Sequence, residues 1–213
     1  MLCNKGELPE MTSGYRFYRF AYILARTVYS FIYRIKVIGK ANIPDGPCII
    51  CANHSALIDP ILLIFAFGRQ NHLHIMAKIE LFKIPVLSSI LKKLEMICVD
   101  RSTTDVSAIK DSLRHLKNGE KIAVFPEGTR VSEDDTIAAK SGAVRLALKS
   151  GTPIIPVYIP RKKKVFGLNK ISIGEQYFIE KTSSKMASDE YNVLADEIMN
   201  RIKALYREQL SAE

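Results

Sequence analysis

The chain predicts an α/β fold with a largely parallel central sheet of about seven strands, helices on both faces, and an N-terminal amphipathic helix in front. Short apolar runs alternate with segments whose apolar residues recur at spacings of 3 and 4. Strand, helix and strand in succession make βαβ units, which require parallel pairing. Four successive strands also end in charged residues, as expected where a sheet gathers ligands at its carboxyl edge.

The first periodic stretch is Tyr15 to Ile35, after a loose start over 1–14. On a helical wheel Arg16, Arg19, Arg26 and Arg34 fall within about 80° of one another, joined by Thr27 and Ser30. Phe17, Phe20, Ala21, Leu24, Val28, Phe31 and Ile32 lie on the other side, with Tyr15, Tyr22, Tyr29 and Tyr33 along one border. That composition suits a helix in a membrane interface, so residues 1–35 are read as an interface helix and 36–213 as one folded domain.

The candidate strands are Arg34 to Ile38, Cys48 to Ala52, His74 to Ala77, Met96 to Val99, Lys121 to Phe125, Ile154 to Ile159 and Lys170 to Gly174. The candidate helices between them are Pro60 to Gly68, Pro85 to Leu94, Thr103 to Asn118 and Ala138 to Ser150. In the third helix Val106, Ile109, Leu113 and Leu116 share a face, and Gly119 marks its end. Tyr191, Leu194, Ile198, Ile202 and Leu205 do the same in a closing helix, Asp189 to Leu210.

A chain of 213 residues is long enough for one real core. With 31 basic against 22 acidic residues its net charge is +9, which favours an anionic partner. The cysteines lie mostly in apolar runs and no secretory signal is recognisable, so a reducing, cytoplasmic setting is expected. Cys48 and Cys51 spell C-x-x-C, but on a strand they point to opposite faces and cannot form a redox pair. No apolar run reaches the roughly 18 uncharged residues of a spanning helix.

The stretch Asn53-His54-Ser55-Ala56-Leu57-Ile58-Asp59-Pro60 lies where the second strand meets the first sheet helix. Asp59 is expected to cap that helix, with Pro60 in its first turn. A turn through 55–58 can fold His54 onto Asp59. The carboxylate would then fix the ring's tautomer and raise its basicity, leaving the other nitrogen to take a proton.

Lys78, Asp100-Arg101 and Glu127-Gly128-Thr129-Arg130 close the next three strands. Gly128 permits close backbone approach, Thr129 offers a hydroxyl, and the planar Arg130 guanidinium matches a phosphate with two bonds. Lys78 can add a point charge or simply reach solvent. Glu127 is expected to orient Arg130 or its loop, and Asp100-Arg101 suits a structural ion pair as well as a ligand contact. His72 and His74 share a strand face with no nearby carboxylate and are read as ordinary rather than as metal ligands. No nucleophile elbow, phosphate-binding glycine loop, dinucleotide fingerprint or H-E-x-x-H occurs. A base without a protein nucleophile points to a bound hydroxyl as the nucleophile, and a thioester is reactive enough to be attacked directly.

His54 through Asp59-Pro60, Asp100-Arg101, Glu127 to Arg130 and the Ile155-Pro156-Val157 strand, in this order, resemble the four motifs of the 1-acyl-glycerol-3-phosphate acyltransferase family. Gly39-Lys40-Ala41-Asn42-Ile43-Pro44 and Gly46-Pro47 resemble its lead-in, so the likeness covers residues 35–160. It implies acyl transfer from acyl-coenzyme A or acyl-acyl carrier protein to the 2-hydroxyl of lysophosphatidate, giving phosphatidate for phospholipid synthesis. His54 would be the base, Asp59 its orienter and Arg130 the phosphate contact, with no metal or other cofactor. The implied setting is the cytoplasmic face of an anionic membrane, peripheral or monotopic. Ala56 and Val131 stand where the family often has serine, which touches acceptor contacts rather than the catalytic pair.

Two other readings remain at this stage. One is the same chemistry on another acceptor, such as glycerol phosphate or a lyso amino-acid lipid. The other is a noncatalytic basic module that binds anionic membrane or nucleic acid through Arg161-Lys162-Lys163-Lys164 and the arginine stripe of the first helix. Nucleic-acid surfaces interleave aromatics with basic residues, and this run has only Phe166 close by, so no nucleic-acid partner is expected.

Overall fold

Every residue of the run Cys48–Ala52 (β2) is buried, and the rest of the sheet is laid out around it. The computed structural model describes residues 13–102, 105–131, 137–181 and 186–211. Six further strands complete the sheet: Arg34–Ile38 (β1), Leu73–Lys78 (β3), Ile97–Val99 (β4), Lys121–Val124 (β5), Ile154–Tyr158 (β6) and Leu168–Ile173 (β7). Their spatial order is β1-β7-β6-β2-β5-β3-β4. All pairings are parallel except β6 with β7, so β1 and β7 run against the other five.

The predicted two-sided cover is present. Ile49 and Cys51 of β2 pack with α4 (Val106–Lys117), α5 (Gly142–Ser150) and α6 (Ser188–Ser211). Cys48, Ile50 and Ala52 pack with α2 (Asp59–Phe67) on the opposite face. The two cysteines of the C-x-x-C therefore diverge, and both are free. Burial pushes the Cys48 thiol up to about 12, which suits a structural residue.

Element ends differ from expectation for local reasons. Helix α1 spans Ser13–Ile32 and stops short of Ile35 because Arg34 and Ile35 are already paired with β7. The start expected at Thr103 lies outside the described residues, as do 1–12 of the loose start. Helix α4 begins at Val106, where the Asp105 carboxylate accepts the Ala108 N–H. Helix α5 begins at Gly142 rather than Ala138, since the Lys140 N–H is committed to the Pro126 carbonyl.

Helix α1 also departs from the simple stripe. Its protein-facing side is built on Tyr18, whose hydroxyl donates to the Asn71 carbonyl at 2.7 Å and whose ring lies against His72. Tyr22 and Tyr29 meet Phe65 of α2, and the Arg26 guanidinium covers the same ring at 5.2 Å. Arg26 is thus turned onto the protein and Arg34 belongs to β1, so the four arginines do not form one solvent-facing row. Phe20, Ile23, Leu24, Val28 and Phe31 are left exposed.

His72 and His74 are not without carboxylates, contrary to the sequence reading. The chain reverses after α3 (Pro85–Lys93) at Glu95, which holds φ +53°, and after α4 at Gly119; these turns bring Glu95 and Glu120 to the two histidines. With His115 of α4 the rings form a stack, 4.3 Å from His72 to His74 and 3.8 Å from His74 to His115. Burial dominates their titration, lowering both His72 and His74 to about 4, so both rings are neutral at pH 7.

Candidate active site

The turn after β2 folds as its residue types require. Asn53 is buried and its side chain clasps β6, donating to the Ile159 carbonyl and accepting the Ile159 N–H, each at 2.8 Å. That clasp sets the exit angle of the next residue, His54. Asp59 is the first residue of α2 rather than its cap, since Ile58 holds the cap position and no side chain caps the helix. Its carboxylate points back into the turn instead. Asp59 Oδ2 accepts the N–H groups of Ser55 and Ala56 at 2.6 and 2.7 Å and meets His54 Nδ1 at 2.9 Å.

The expected pair therefore forms, and the oxygen that would have capped the helix caps the turn. Asp59 is wholly buried. Burial pushes its carboxyl up, but the hydrogen bond from His54, the Lys163 ammonium and the Ala56 N–H outweigh it and hold the group below the usual carboxylate range. An ionised Asp59 accepts from His54, so Nδ1 carries the proton and Nε2 the lone pair. The imidazole stacks on Phe125 at 4.3 Å, and no hydrogen bond from the described residues reaches Nε2. The His54 side chain is 14 % exposed, enough for a substrate to meet that nitrogen.

Two residues that sequence reasoning put aside complete the constellation. Lys163 pairs with Asp59 Oδ1 and donates to Ser55 Oγ at 2.6 Å, although burial pushes its ammonium down. Arg161 pairs with Glu127 and donates to the Val131 carbonyl at 2.8 Å. Both come from the basic run after β6, which resembled a solvent or membrane patch. The signal available was the strand-end rule itself: β6 lies beside β2, and its carboxyl end opens on the same edge.

Of the two expected roles, Glu127 takes the second: it holds its loop rather than Arg130. One oxygen accepts the His54 backbone N–H at 2.5 Å and the other takes Arg161, so this buried carboxylate ties the β5 turn to the β2 turn and β6. Gly128 holds φ +68°, a left-handed conformation that favours glycine, and the end of the exposed Lys140 side chain lies 2.7 Å from where a Cβ would stand. Thr129 and Arg130 are exposed, and Arg130 makes no ion pair among the described residues. Arg101 donates to the Gly128 carbonyl rather than pairing with Asp100, whose carboxylate accepts from Ser102. Lys78 pairs with Glu80 at 3.0 Å, both half exposed.

Lys78, Lys83, Asp100 and Arg101 line a cleft of ≈ 420 Å³ beyond the ends of β3 and β4. Arg101 connects this cleft to Gly128, and Glu127 connects Gly128 to His54. A larger depression of ≈ 580 Å³ between β1, β7 and α6 contains none of the predicted site residues. The carboxyl edge thus offers an imidazole with a free lone pair, an ionised carboxylate behind it, and cations within reach. It can take a proton from a hydroxyl and hold an anion.

Comparison with known proteins agrees with this arrangement. The family model described as Acyltransferase matches residues 34–160. The 1-acyl-sn-glycerol-3-phosphate acyltransferase of Bacillus subtilis is 32 % identical over 88 % of this chain and 96 % of its own length. The Borreliella burgdorferi protein of the same name is 35 % identical over 65 % of this chain, which spans 56 % of that relative. The crystal structure of the 1-acyl-sn-glycerophosphate (LPA) acyltransferase PlsC from Thermotoga maritima superposes with a TM-score of 0.62 at 27 % identity, covering 95 % of this chain and 80 % of that one. The His54 turn, the Glu127–Arg130 turn and the sheet edge that joins them all fall inside the matched region, and the chain belongs to the acyltransferase family.

Proposed function

We propose that this chain is a 1-acylglycerol-3-phosphate O-acyltransferase that moves a fatty acyl group from a thioester donor, acyl-coenzyme A or acyl-acyl carrier protein, to the 2-hydroxyl of lysophosphatidate. The observation that carries the reading is the His54–Asp59 pair at 2.9 Å with Nε2 left open. Nε2 takes the proton of the acceptor hydroxyl while its oxygen attacks the thioester carbonyl. The resulting imidazolium is stabilised by Asp59, and the tetrahedral intermediate collapses to ester with release of the thiolate. The proton on Nε2 then passes to the departing sulfur, so His54 ends as it began. Arg130, exposed beside His54's turn, supplies a planar fork for the acceptor phosphate, with Thr129 and Lys78 as further donors and Arg101 holding the Gly128 turn in place.

The apolar surface supports a site that works against a membrane. Phe20, Leu24, Val28 and Phe31 of α1 are exposed, as is Leu57 in the His54 turn. Val165 and Phe166 continue the surface, joined to α1 by the bond from the Phe166 N–H to the Ile32 carbonyl. A lysolipid acceptor sits in a bilayer, and an apolar rim beside the base lets the enzyme take it there. Among the described residues no helix is long and apolar enough to cross the membrane.

The test is an assay of purified protein with lysophosphatidate and acyl-coenzyme A, read as released thiol. His54→Ala, folded by circular dichroism, should lose about 10²–10⁴-fold in rate. Parallel arms with glycerol phosphate and a phosphate-free lysolipid should be slow. Equal rates on all three acceptors would sink the assignment of lysophosphatidate.

A further inference from the structure

The stack of three histidines lies at the edge opposite the proposed catalytic residues, where strands β3 and β5 begin. His74 pairs in register with Ile122, while His115 and Glu120 lead into β5. His74 is wholly buried, and its Nδ1 lies 3.0 Å from the Glu95 carbonyl, an acceptor only, so Nδ1 donates. In the neutral ring Nε2 is then a bare lone pair. It has no hydrogen-bond partner among the described residues and faces Glu120 Oε2 at 3.6 Å. A lone pair turned toward a carboxylate oxygen inside the protein is repulsive unless a cation lies between them.

We propose that His74 Nε2, His115 Nδ1 and Glu120 Oε2 form a site for a divalent transition metal, zinc by the character of its donors. The ligand atoms lie within 4.8 Å of one another. Two atoms held at about 2.0–2.1 Å by one tetrahedral zinc are about 3.3 Å apart, so the 3.6 Å between His74 and Glu120 is already close to a bound separation. His115 Nδ1 now shares a proton with Glu120 at 2.7 Å and its ring lies stacked on His74 at 3.8 Å; on binding it turns to its Nε2–H tautomer and swings out of the stack, which opens the 2.7 Å contact and aims Nδ1 at the metal. The Glu95 carbonyl supplies the outer support that a ligating histidine usually has. Glu95 holds a left-handed conformation where glycine is the ordinary choice, as the residue after the C-cap of α3, and this conformation aims that carbonyl. Glu120 is about one-third exposed, which gives the ion a way in. Two imidazoles and a carboxylate with one open position suit zinc over the hard cations. The ion would tie the α4–β5 turn to β3 and leave the acyl transfer site alone.

The experiment uses the full chain, stripped with a chelator and dialysed against Zn²⁺, with bound metal counted per chain and Tm read with and without metal. One zinc per chain is expected, with Tm raised by about 5–10 °C at a hundredfold excess over Kd. Replacing the buried His74 endangers the fold, so Glu120→Gln carries the test. It keeps the length of the side chain and a partner for His115, and should weaken binding by more than about 100-fold. His115→Ala should do the same, while His54→Ala should bind as wild type. No uptake by the folded wild-type protein at millimolar Zn²⁺, or uptake undiminished in Glu120→Gln, would overturn the proposal.

Discussion

The two ends of the sheet hold the same residue types and put them to opposite use. At the carboxyl edge His54 meets Asp59 at 2.9 Å; at the other edge His74 faces Glu120 at 3.6 Å. The difference lies in what stands behind each pair. Asp59 takes two backbone N–H groups and Lys163, so it stays ionised and accepts the hydrogen bond of Nδ1–H, leaving the Nε2 lone pair open at the surface. His74 gives its proton to a backbone carbonyl, so its lone pair is turned inward at a carboxylate and its ring is pressed between two others. An imidazole beside a carboxylate is therefore not yet a base. The hydrogen bond made by the other ring nitrogen decides what the pair can do.

Lys163→Met breaks this contrast most severely, because it removes the cation behind Asp59. A carboxylate left buried without its ammonium costs about 3–5 kcal/mol, and melting of the folded variant measures the loss. The rate has its own sign. Asp59 has its pKa depressed in the fold, so its contribution is present above the ordinary carboxylate range and lost as pH falls through the folded value. Removing Lys163 raises that folded value. The acid limb of the pH–rate profile should move upward. An unmoved limb would mean that the backbone N–H groups alone keep Asp59 ionised.

Arg130→Lys sharpens the comparison at the open side of the site. The lysine keeps the charge but not the paired bonds, so KM for lysophosphatidate should rise about tenfold with kcat little changed. Equal losses on phosphorylated and phosphate-free acceptors would make Arg130 structural.

The smallest effect concerns the loop that carries Arg101. Asp105 accepts the Asp100 N–H at 2.8 Å, the Ser107 hydroxyl and the Ala108 N–H, and these hold its carboxyl at about 2, below the ordinary 3.8. A depressed pKa gives stability that is present above about pH 4 and lost as pH falls toward 2. Asp105→Ala should cost about 1 kcal/mol near neutrality, read by denaturant melts, and the gap from wild type should close over that acid range.

Much of the framework was legible because it is local. The run Cys48–Ala52 and the 3-and-4 spacing of α4 and α6 announce their elements without help from distant chain, and His54 with Asp59 can be paired by one short turn. The reversal of β7 was not legible, since nothing within Leu168–Ile173 states which neighbour it will meet. Lys163 and Arg161 were hidden for a similar reason. Lys163 reaches Ser55 across 108 residues of sequence, and only the placement of β6 beside β2 turns a basic run into the back wall of a site. The pairing of Asp59 with His54 is legible from the short turn between them, but its capping role is not, because its oxygen serves the turn before the helix rather than the helix itself. Glu95 and Glu120 were missed beside the histidines because each arrives on a separate chain reversal, one made by a non-glycine residue with positive φ.

The central claim is that His54 and Asp59 act as one unit in proton transfer, and a double-mutant cycle tests it most directly. Initial rates of acyl transfer from acyl-coenzyme A to lysophosphatidate would be measured for the wild type, His54→Ala, Asp59→Asn and the double variant, each confirmed as folded. Asp59→Asn should cost about 10²–10⁴-fold in the wild-type background and almost nothing once His54 is gone, because a carboxylate that acts only through the imidazole has nothing left to orient. Losses that multiply, with the double variant slower than His54→Ala by the full Asp59→Asn factor, would show two independent roles and contradict the account.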